Sequence, residues 1–291
     1  MSIVLEKVSY TYMPGTPYER VALRDVSLTV ERGETVGIIG HTGSGKTTLV
    51  QHMNGLIRPT SGRVTVDGVD PAGKGELAKA ARLKIGMVFQ YPEHQLFEET
   101  VYEDVAFGPR NMGLPEEEVE RRVRRALSFV GLDFQQFSRR SPLRLSGGQM
   151  RRVAIAGVIA MEPEFLVLDE PSASLDWRGR EEIFREILGL HATTGIGIIL
   201  VSHNMDDIVR LAKRVVVMHQ GSLIADGDIR EIFSRQGKQN ELLERAGVEP
   251  PRVTRLMAAL SRAGLEVEKT ALTIDEAVEA IVRAVGRRRL A

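Results

Sequence analysis

Short apolar runs separated by polar segments recur along the chain and predict its β-strands. The runs are IVLEKV, TVGIIG, RVTVDG, KIGMVF, FLVLDE, GIGIILVS and RVVVMH. Several are almost wholly apolar, which is typical of strands buried on both faces of a sheet with parallel members. Helical patterns alternate with them, so the sequence predicts an α/β core with a mixed sheet.

Two regions depart from this alternation. A mostly helical stretch, about residues 91–162, separates the strand before Gln90 from the strand that starts at Phe165, and we interpret it as a helical insert. From residue 226 onward the pattern is helical only, which divides the chain into a core domain, 1–225, and a C-terminal helical extension, 226–291.

The extension carries two apolar stripes at helical spacing. The first is Val253, Leu256, Met257 and Leu260; the second is Ile274, Ala277, Val278, Ile281, Val282 and Val285. Thr273 with Glu276 predicts a capping box at the start of the last helix. Because so short a segment has little core of its own, we expect the stripes to pack on the main body or on another chain, with dimerisation as the expected role.

Composition narrows the class of protein. The 291 residues include 43% hydrophobic and 27% charged residues, so a packed core is expected. Lys plus Arg equals Asp plus Glu at 39 each, so the chain lacks the excess of basic residues that is typical of nucleic-acid-binding proteins. No cysteine is present, which excludes disulfides and thiolate chemistry. Since no apolar run approaches the ~20 residues of a spanning helix, we expect a soluble protein that reaches a membrane only through a partner.

The segment GHTGSGKT matches G-x-x-x-x-G-K-[ST] with Gly40, Gly45, Lys46 and Thr47, and we call it the P-loop. It follows a predicted strand and precedes a helical pattern, the context in which backbone amides and a helix N-terminus bind phosphate. Lys46 can reach the β- and γ-phosphates, and the Thr47 hydroxyl can ligate Mg²⁺.

Polar residues end three of the apolar runs. Asp169 and Glu170 follow FLVL, Gln90 follows IGMVF, and His203 follows GIGIILVS. Ligands bind at the carboxyl edge of open α/β sheets, so these side chains are expected near the P-loop. We predict Asp169 in the Mg²⁺ shell, Glu170 as the base that orients the attacking water, and His203 at the γ-phosphate.

A second glycine-rich segment, LSGGQ at residues 145–149, precedes another strong helix pattern, and we call it the signature segment. Its amides and hydroxyl also suit an anion. An ordinary serine N-cap followed by two permissive glycines explains the same residues and stays open as the alternative.

Over about residues 3–225 the sequence resembles the ATP-binding-cassette ATPases. The resemblance rests on six elements that occur in the family's order: GHTGSGKT, Gln90, LSGGQ, FLVLDE, SLD at 174–176 and His203. The resemblance implies ATP and Mg²⁺ as cofactors, a P-loop NTPase fold, and Lys46, Glu170 and His203 as catalytic residues. It implies Thr47, Gln90 and Asp169 at the metal, and Tyr12 on adenine with Tyr10 as the less favoured choice. The remaining nucleotide contacts that it implies are Gly40, His41, Thr42, Gly43, Ser44, Gly45 and Thr48, and, across a head-to-tail dimer, Ser146, Gly147, Gly148, Gln149 and Asp176.

Two stretches look like the ATPases of energy-coupling-factor transporters: residues 90–114 and the region around the signature segment. The P-loop region GHTGSGKTTLVQHMNGL is similar to the second of their two ATPase subunits. The resemblance implies ATP-driven uptake of a vitamin or metal ion. It implies as partners a second ATPase subunit (a paralogue or a second copy), a transmembrane coupling subunit and a solute-binding membrane subunit, at the cytoplasmic face of the cell membrane.

One departure from the family pattern is PSASLDW, where PTAGLDP is commoner. Three alternatives stay open: an ATPase of a conventional ABC importer, a cassette ATPase acting on nucleic acid or ribosomes, and a binding module without hydrolysis. Segment 90–108 is interpreted either as a buried connector or as the floor of a groove that receives a helix of the membrane subunit.

Overall fold

The computed structural model describes residues 1–173, 175–233, 238–267 and 270–290. Its centre is a six-stranded sheet in which the first five strands are parallel and the last is antiparallel. The strands in spatial order are β5 (Ile85–Val88), β6 (Phe165–Asp169), β7 (Gly197–Val201), β3 (Thr35–Ile39), β8 (Arg214–His219) and β9 (Ser222–Asp228). The predicted α/β core with a mixed sheet is confirmed.

A second, antiparallel sheet covers one face of this centre. It is formed, in spatial order, by β2 (Arg20–Glu31), β1 (Ser2–Tyr12) and β4 (Ser61–Val66). Each of the seven predicted runs forms a strand, but β2 and β9 were not among them. In β2 buried and exposed residues largely alternate, so it lacks the continuous apolar run of a strand buried on both faces.

Helices surround the central sheet. Those of the core are α1 (Lys46–Met53), α2 (Glu76–Leu83), α7 (Trp177–Thr194) and α8 (Met205–Leu211). Those between β5 and β6 are α3 (Val101–Asn111), α4 (Glu116–Phe129), α5 (Phe134–Phe137) and α6 (Gly147–Ile159), with 3₁₀ turns at Pro92–Gln95 and Pro142–Arg144. Helices α3, α4 and α6 meet through fully buried valines, Val105, Val123 and Val153, and their cluster is continuous with the core of the main sheet. None of the described helices combines the length and the apolarity that crossing a membrane requires.

The C-terminal region begins with a part that belongs to the main body. Its helices are α9 (Ile229–Phe233), α10 (Lys238–Arg245), α11 (Arg252–Arg262) and α12 (Ile274–Leu290). The predicted boundary at residue 225 falls inside β9, because Asp226, Gly227 and Asp228 still pair with β8. Phe233 and Leu243 are buried in the main core, so α9 and α10 complete that core.

Helices α11 and α12 pack on each other through a small apolar cluster of their own. Met257 and Ala277 form its centre, with Ile281 packed against them. The expectation that both stripes pack on the body or on another chain was therefore wrong for their inner residues. The outer residues of α12, Val278 and Val282, remain 53% and 64% exposed.

The cap predicted for α12 is present in a modified form. The Thr273 hydroxyl accepts the Glu276 N–H at 3.2 Å, and the Glu276 carboxylate accepts the N–H of Leu272 at 2.9 Å. The carboxylate thus reaches one residue further back than in a standard capping box.

Candidate active site

The P-loop connects β3 to α1 in a conformation that needs glycine at two points. A Cβ on Gly40 would lie 2.2 Å from the carbonyl oxygen of Met218. Gly45 is left-handed, with φ 103°, and a Cβ there would lie 2.6 Å from the Ala22 carbonyl oxygen. The tight packing of this loop against β2 and β8 therefore excludes any side chain at these two positions.

Lys46 lies folded into the loop that precedes it. Its ammonium group donates to the carbonyl oxygens of Gly40 at 2.8 Å and His41 at 3.0 Å. Burial lowers the pKa of Lys46, and the nearby charges of Glu170 and Asp169 oppose that shift. The loop thus holds a partly desolvated positive charge at the mouth of α1, where a phosphate group would lie.

Asp169 ends β6 and is 4% exposed. Its Oδ2 accepts a hydrogen bond from the Thr47 hydroxyl at 3.0 Å, and burial raises its pKa. A carboxylate, a hydroxyl and the nearby Gln90 amide are hard oxygen donors of the kind that Mg²⁺ prefers, so these residues fit the ion. Among the residues described, no three His, Cys, Asp or Glu side chains form a metal cluster, so the other ligands would come from phosphate and water.

Glu170 follows directly in a left-handed backbone conformation with φ 51°. Its Oε1 accepts the backbone N–H of His203 at 2.9 Å and lies 2.7 Å from His203 Nδ1. The Glu170 side chain is 13% exposed and that of His203 is 71% exposed. The structure therefore pairs a shielded carboxylate with an imidazole that faces solvent at the same sheet edge.

These groups enclose a cavity of about 360 Å³. The predicted residues that line it are Tyr12, Thr42, Gly43, Gly45, Lys46, Thr47, Thr48, Gln90, Asp169, Glu170 and His203. Three predicted residues are not among its lining: Gly40, His41 and Ser44. The Ser44 hydroxyl is fully buried beside Gly40, and the His41 ring packs on His219 with 5.3 Å between centroids, so neither side chain lines the cavity.

Tyr12 lies on the rim of the cavity. Its hydroxyl shares a hydrogen bond of 3.1 Å with Thr48, and its ring meets Tyr10 edge-to-face at 4.8 Å. Sequence reasoning missed Arg20, which also lines the cavity with its guanidinium beside Gly43. Arg20 is the first residue of strand β2, which begins beside the P-loop, so recognising that strand in the sequence would have pointed to Arg20.

The signature segment lies on a different surface. Ser146 and Gln149 form a full capping box at the start of α6, with the Gln149 N–H bound to Ser146 Oγ at 3.3 Å. A hydroxyl that accepts this bond can still donate its own proton, and a Cβ on Gly147 or Gly148 would meet nothing within 4 Å. The amides of the two glycines are therefore open to an approaching anion.

Asp176 borders the same hollow of about 380 Å³ as Ser146, Gly148 and Gln149, and no P-loop residue lines it. The Oδ1 of Asp176 accepts the N–H of Gly179 at 2.8 Å and caps α7. Ser174 of the SLD motif lies outside the described residues. One chain thus holds two separate surfaces whose geometry suits an anion and does not bring them together.

A P-loop beside a buried Asp-Glu pair, with a second glycine-rich helix start on a separate surface, defines an ATPase of the ATP-binding-cassette class. Residues 23–173 match the family model described as ABC transporter. The energy-coupling factor transporter ATP-binding protein EcfA2 of Clostridium perfringens is 49% identical over 285 residues, 98% of this chain and 99% of that protein. The EcfA2 protein of Symbiobacterium thermophilum is 54% identical over 281 residues, 97% of this chain and 96% of that protein. The chain belongs to the ABC transporter family and, within it, to the energy-coupling factor transporter ATP-binding proteins.

Solved structures agree with this assignment. The cbiO1 protein of Clostridium perfringens, described as part of the ABC transporter complex cbiONQ, superposes with a TM-score of 0.72 at 38% identity over 88% of this chain and 98% of that one. A dimeric ATP-binding cassette, MJ0796, bound to ADP and Pi, superposes with a TM-score of 0.69 at 30% identity over 78% of this chain and 98% of that one.

Proposed function

We propose that this chain binds ATP and Mg²⁺ in the cavity above the P-loop and hydrolyses ATP to power uptake of a vitamin or metal ion through membrane partners. The observation that carries the proposal is the convergence of Lys46, Thr47, Asp169 and Glu170 on one cavity of about 360 Å³. Bound Mg²⁺ would supply charge neutralisation at the phosphates, held by Thr47, Asp169 and Gln90.

Each residue of the site has a separate task in this scheme. Lys46 exchanges its loop carbonyls for phosphate oxygens and stabilises their charge. Glu170, shielded at the strand end, accepts a proton from the attacking water. His203 bonds both to Glu170 and to the γ-phosphate, so it orients the carboxylate relative to the phosphorus. Tyr12 stacks on adenine at the rim.

Replacing Glu170 tests this assignment. Glu170→Gln keeps the size of the side chain and removes the base, so ATP binding should persist while turnover falls by roughly 10²-fold or more. The matched control is Glu117→Gln, an exposed glutamate on α4. Turnover within a factor of two of the unmodified chain would refute the role of Glu170.

The second anion surface implies composite sites. We propose that two ATPase chains, a paralogue or a second copy, associate head to tail so that Ser146, Gly147, Gly148, Gln149 and Asp176 of one contact the nucleotide of the other. The lack of any P-loop residue around that hollow supports this arrangement.

A mixing experiment checks the composite arrangement. A Lys46→Ala chain and a Ser146→Arg chain, each inactive alone, should regain one intact site when they form a mixed pair. A verified mixed pair with no activity would contradict contact in trans.

The membrane subunit is proposed to dock on segment 90–108. Phe97 and Phe107 meet edge-to-face at 4.9 Å and remain 63% and 45% exposed, which leaves an apolar surface beside the site. Asp104 holds the loop by accepting the N–H groups of Phe97 and Glu98. The neighbouring acids suit a basic helix, which would place the chain peripherally at the cytoplasmic face of the membrane beside coupling and solute-binding subunits.

Charge reversal tests the docking surface. In Glu98→Lys combined with Glu99→Lys, ATP hydrolysis by the isolated ATPase should survive while assembly with the membrane subunits or transport is lost. Glu117→Lys on α4 is the control. If assembly and transport both persist in the double variant, the docking surface lies elsewhere.

A further inference from the structure

Helix α8 carries a buried carboxylate, Asp207, on the side that faces the core. Asp207 is 2% exposed, and Leu211, one helical turn further along the same side, is buried among the apolar residues of the main core. Burial raises the pKa of Asp207, because the charged form is less well solvated there. An apolar side chain at this position would pack without that cost. The packing of α8 therefore does not account for Asp207, whereas its polar contacts do.

Asp207 contacts the segment that follows Glu170. Its Oδ2 accepts a hydrogen bond from the hydroxyl of Ser172, which is itself buried. Its Oδ1 lies 3.7 Å from the Nε of Arg180 on helix α7. A hydrogen bond to a carboxylate is roughly twice as strong as one between neutral groups, and burial of both partners excludes competing water. Asp207 thus holds Ser172 in place, although Asp207 itself does not line the ATP cavity.

The bond between Ser172 and Asp207 closes a ring of contacts that includes Glu170 and His203. Ser172 lies two residues after Glu170, and Asp207 lies four residues after His203. At the other end of these two segments, the Glu170 carboxylate accepts the backbone N–H of His203 at 2.9 Å. The two segments are therefore joined at both ends, and a rotation of either one would strain one of the two contacts.

Glu170 depends on such support because of its backbone conformation. Its φ of 51° is left-handed, which costs free energy for a residue other than glycine and persists only when the surrounding structure holds it. On the side of the sheet, the Glu170 N–H donates to the carbonyl oxygen of Val201 at 2.9 Å. On the side of the following loop, the bond from Ser172 to Asp207 is an anchor. If that anchor is lost, the turn at Glu170 can relax and displace the carboxylate.

We propose that Asp207 is a positioning residue for ATP hydrolysis: through Ser172 it fixes the turn at Glu170, and thereby the direction in which the Glu170 carboxylate faces the attacking water. The inference rests on the proposed role of Glu170 as the base. Because Asp207 does not touch the nucleotide, it should affect the rate of hydrolysis and not the binding of ATP. A misplacement of about 1 Å is sufficient to slow a reaction by roughly 100-fold.

Two variants remove the contact from opposite sides. Ser172→Ala removes the donor, and Asp207→Leu replaces the acceptor by an apolar side chain. In steady-state ATPase assays of the chain assembled with its partner subunits, each should lower kcat by roughly 10- to 100-fold. The affinity for MgATP in equilibrium titrations should stay unchanged, because Lys46 and Thr47 are untouched.

A double variant and a conservative variant separate positioning from a general loss of stability. Ser172→Ala combined with Asp207→Leu should lower kcat no further than either change alone, because both remove the same contact. Asp207→Asn keeps an oxygen that accepts the Ser172 hydroxyl, so its kcat should stay within about threefold of the unmodified chain. Asp206→Asn is the matched control: this neighbouring carboxylate is 39% exposed and pairs with Arg252 instead, so kcat should not change.

An unchanged kcat in Ser172→Ala would overturn the inference, and so would losses that multiply in the double variant or an Asp207→Asn chain as slow as Asp207→Leu. A fall in Tm with a matching loss of MgATP affinity would also overturn it, because that pattern indicates a damaged fold. Ser172→Ala decides the question if Asp207→Leu does not fold. Glu170→Gln, measured in parallel, judges the proposed hydrolysis separately: turnover that falls there but not in the Ser172 and Asp207 variants would remove the positioning role alone.

Discussion

Replacing Arg151 should lower both stability and turnover, because this residue joins three segments around the site. Its side chain is 2% exposed, and its Nη1 donates to the carbonyl oxygens of Pro171 at 3.1 Å and Ala173 at 2.6 Å. Its Nε lies 3.5 Å from Glu93. The loop that follows Glu170 and segment 90–108 are thus both attached to α6 through one guanidinium.

The loss of folding stability expected for Arg151→Met follows from these contacts. Two hydrogen bonds from a charged donor contribute about 1.5–3 kcal/mol each. Removing the buried charge also removes its desolvation penalty of several kcal/mol, which offsets part of this loss. Glu93, whose side chain is 20% exposed, keeps part of its hydration when its partner is removed. The net loss is about 2 kcal/mol, which corresponds to a fall in Tm of about 3 °C for a chain of this size.

Calorimetry and steady-state ATPase assays measure the two effects. Arg151→Met should lower kcat more than it raises KM, because the anchor of the loop after Glu170 is lost while the P-loop is untouched. Arg151→Lys keeps the charge without the planar fork and should recover Tm more than kcat. The control is Arg152→Met on the same helix, which bonds to Val130 and acids of α7 and not to that loop. An unchanged Tm and kcat in Arg151→Met would refute the reasoning, and a lowered Tm with unchanged kcat would limit Arg151 to a structural role.

Three further predictions concern the site and the extension. Asp169→Asn should raise the Tm of the nucleotide-free chain while abolishing Mg²⁺-dependent ATP binding. Because burial raises the pKa of Asp169, this gain in Tm should be present above that pKa and vanish as falling pH protonates the carboxyl of the unmodified chain. A gain in Tm that grows on acidification would contradict this. Arg20→Ala should weaken ATP binding by about 10-fold in equilibrium titrations, the effect of one charge-assisted contact, and unchanged affinity would remove Arg20 from the site. Val278→Glu with Val282→Glu should reduce pairing of the ATPase chains in sedimentation without lowering Tm, because both side chains already face solvent; full pairing would show that this face is not an interface.

The sequence predicted what depends on local pattern and order, and missed what depends on packing between distant segments. Continuous apolar runs identified the strands of the central sheet, and the residues that end them identified Asp169, Glu170 and His203. Strand β2 was not predicted, because its largely alternating burial gives no continuous apolar run in the sequence. Arg20, its first residue, was therefore not predicted either. The close fit of Gly40 against the Met218 carbonyl depends on β8 lying against the loop, which no local pattern encodes.

The C-terminal extension shows the same limit. The two stripes were recognised by their spacing, but spacing does not tell which side of a stripe faces which neighbour. Helix α12 divides its apolar residues between a face packed on α11 and a face left exposed. That division depends on the angle at which two helices meet, and it is decided by tertiary contacts.

A tilt of helix α6 about Arg151 would move the two ends of the helix by different distances. It runs from Gly147 to Ile159, and the buried guanidinium fixes it at Arg151. At 1.5 Å per residue, Arg151 lies ~6 Å from the signature end and ~12 Å from the far end. A tilt about that point therefore displaces the glycine amides by about half as much as it displaces Ile159. Such a tilt would therefore leave the signature segment closer to its starting position than the far end of the helix.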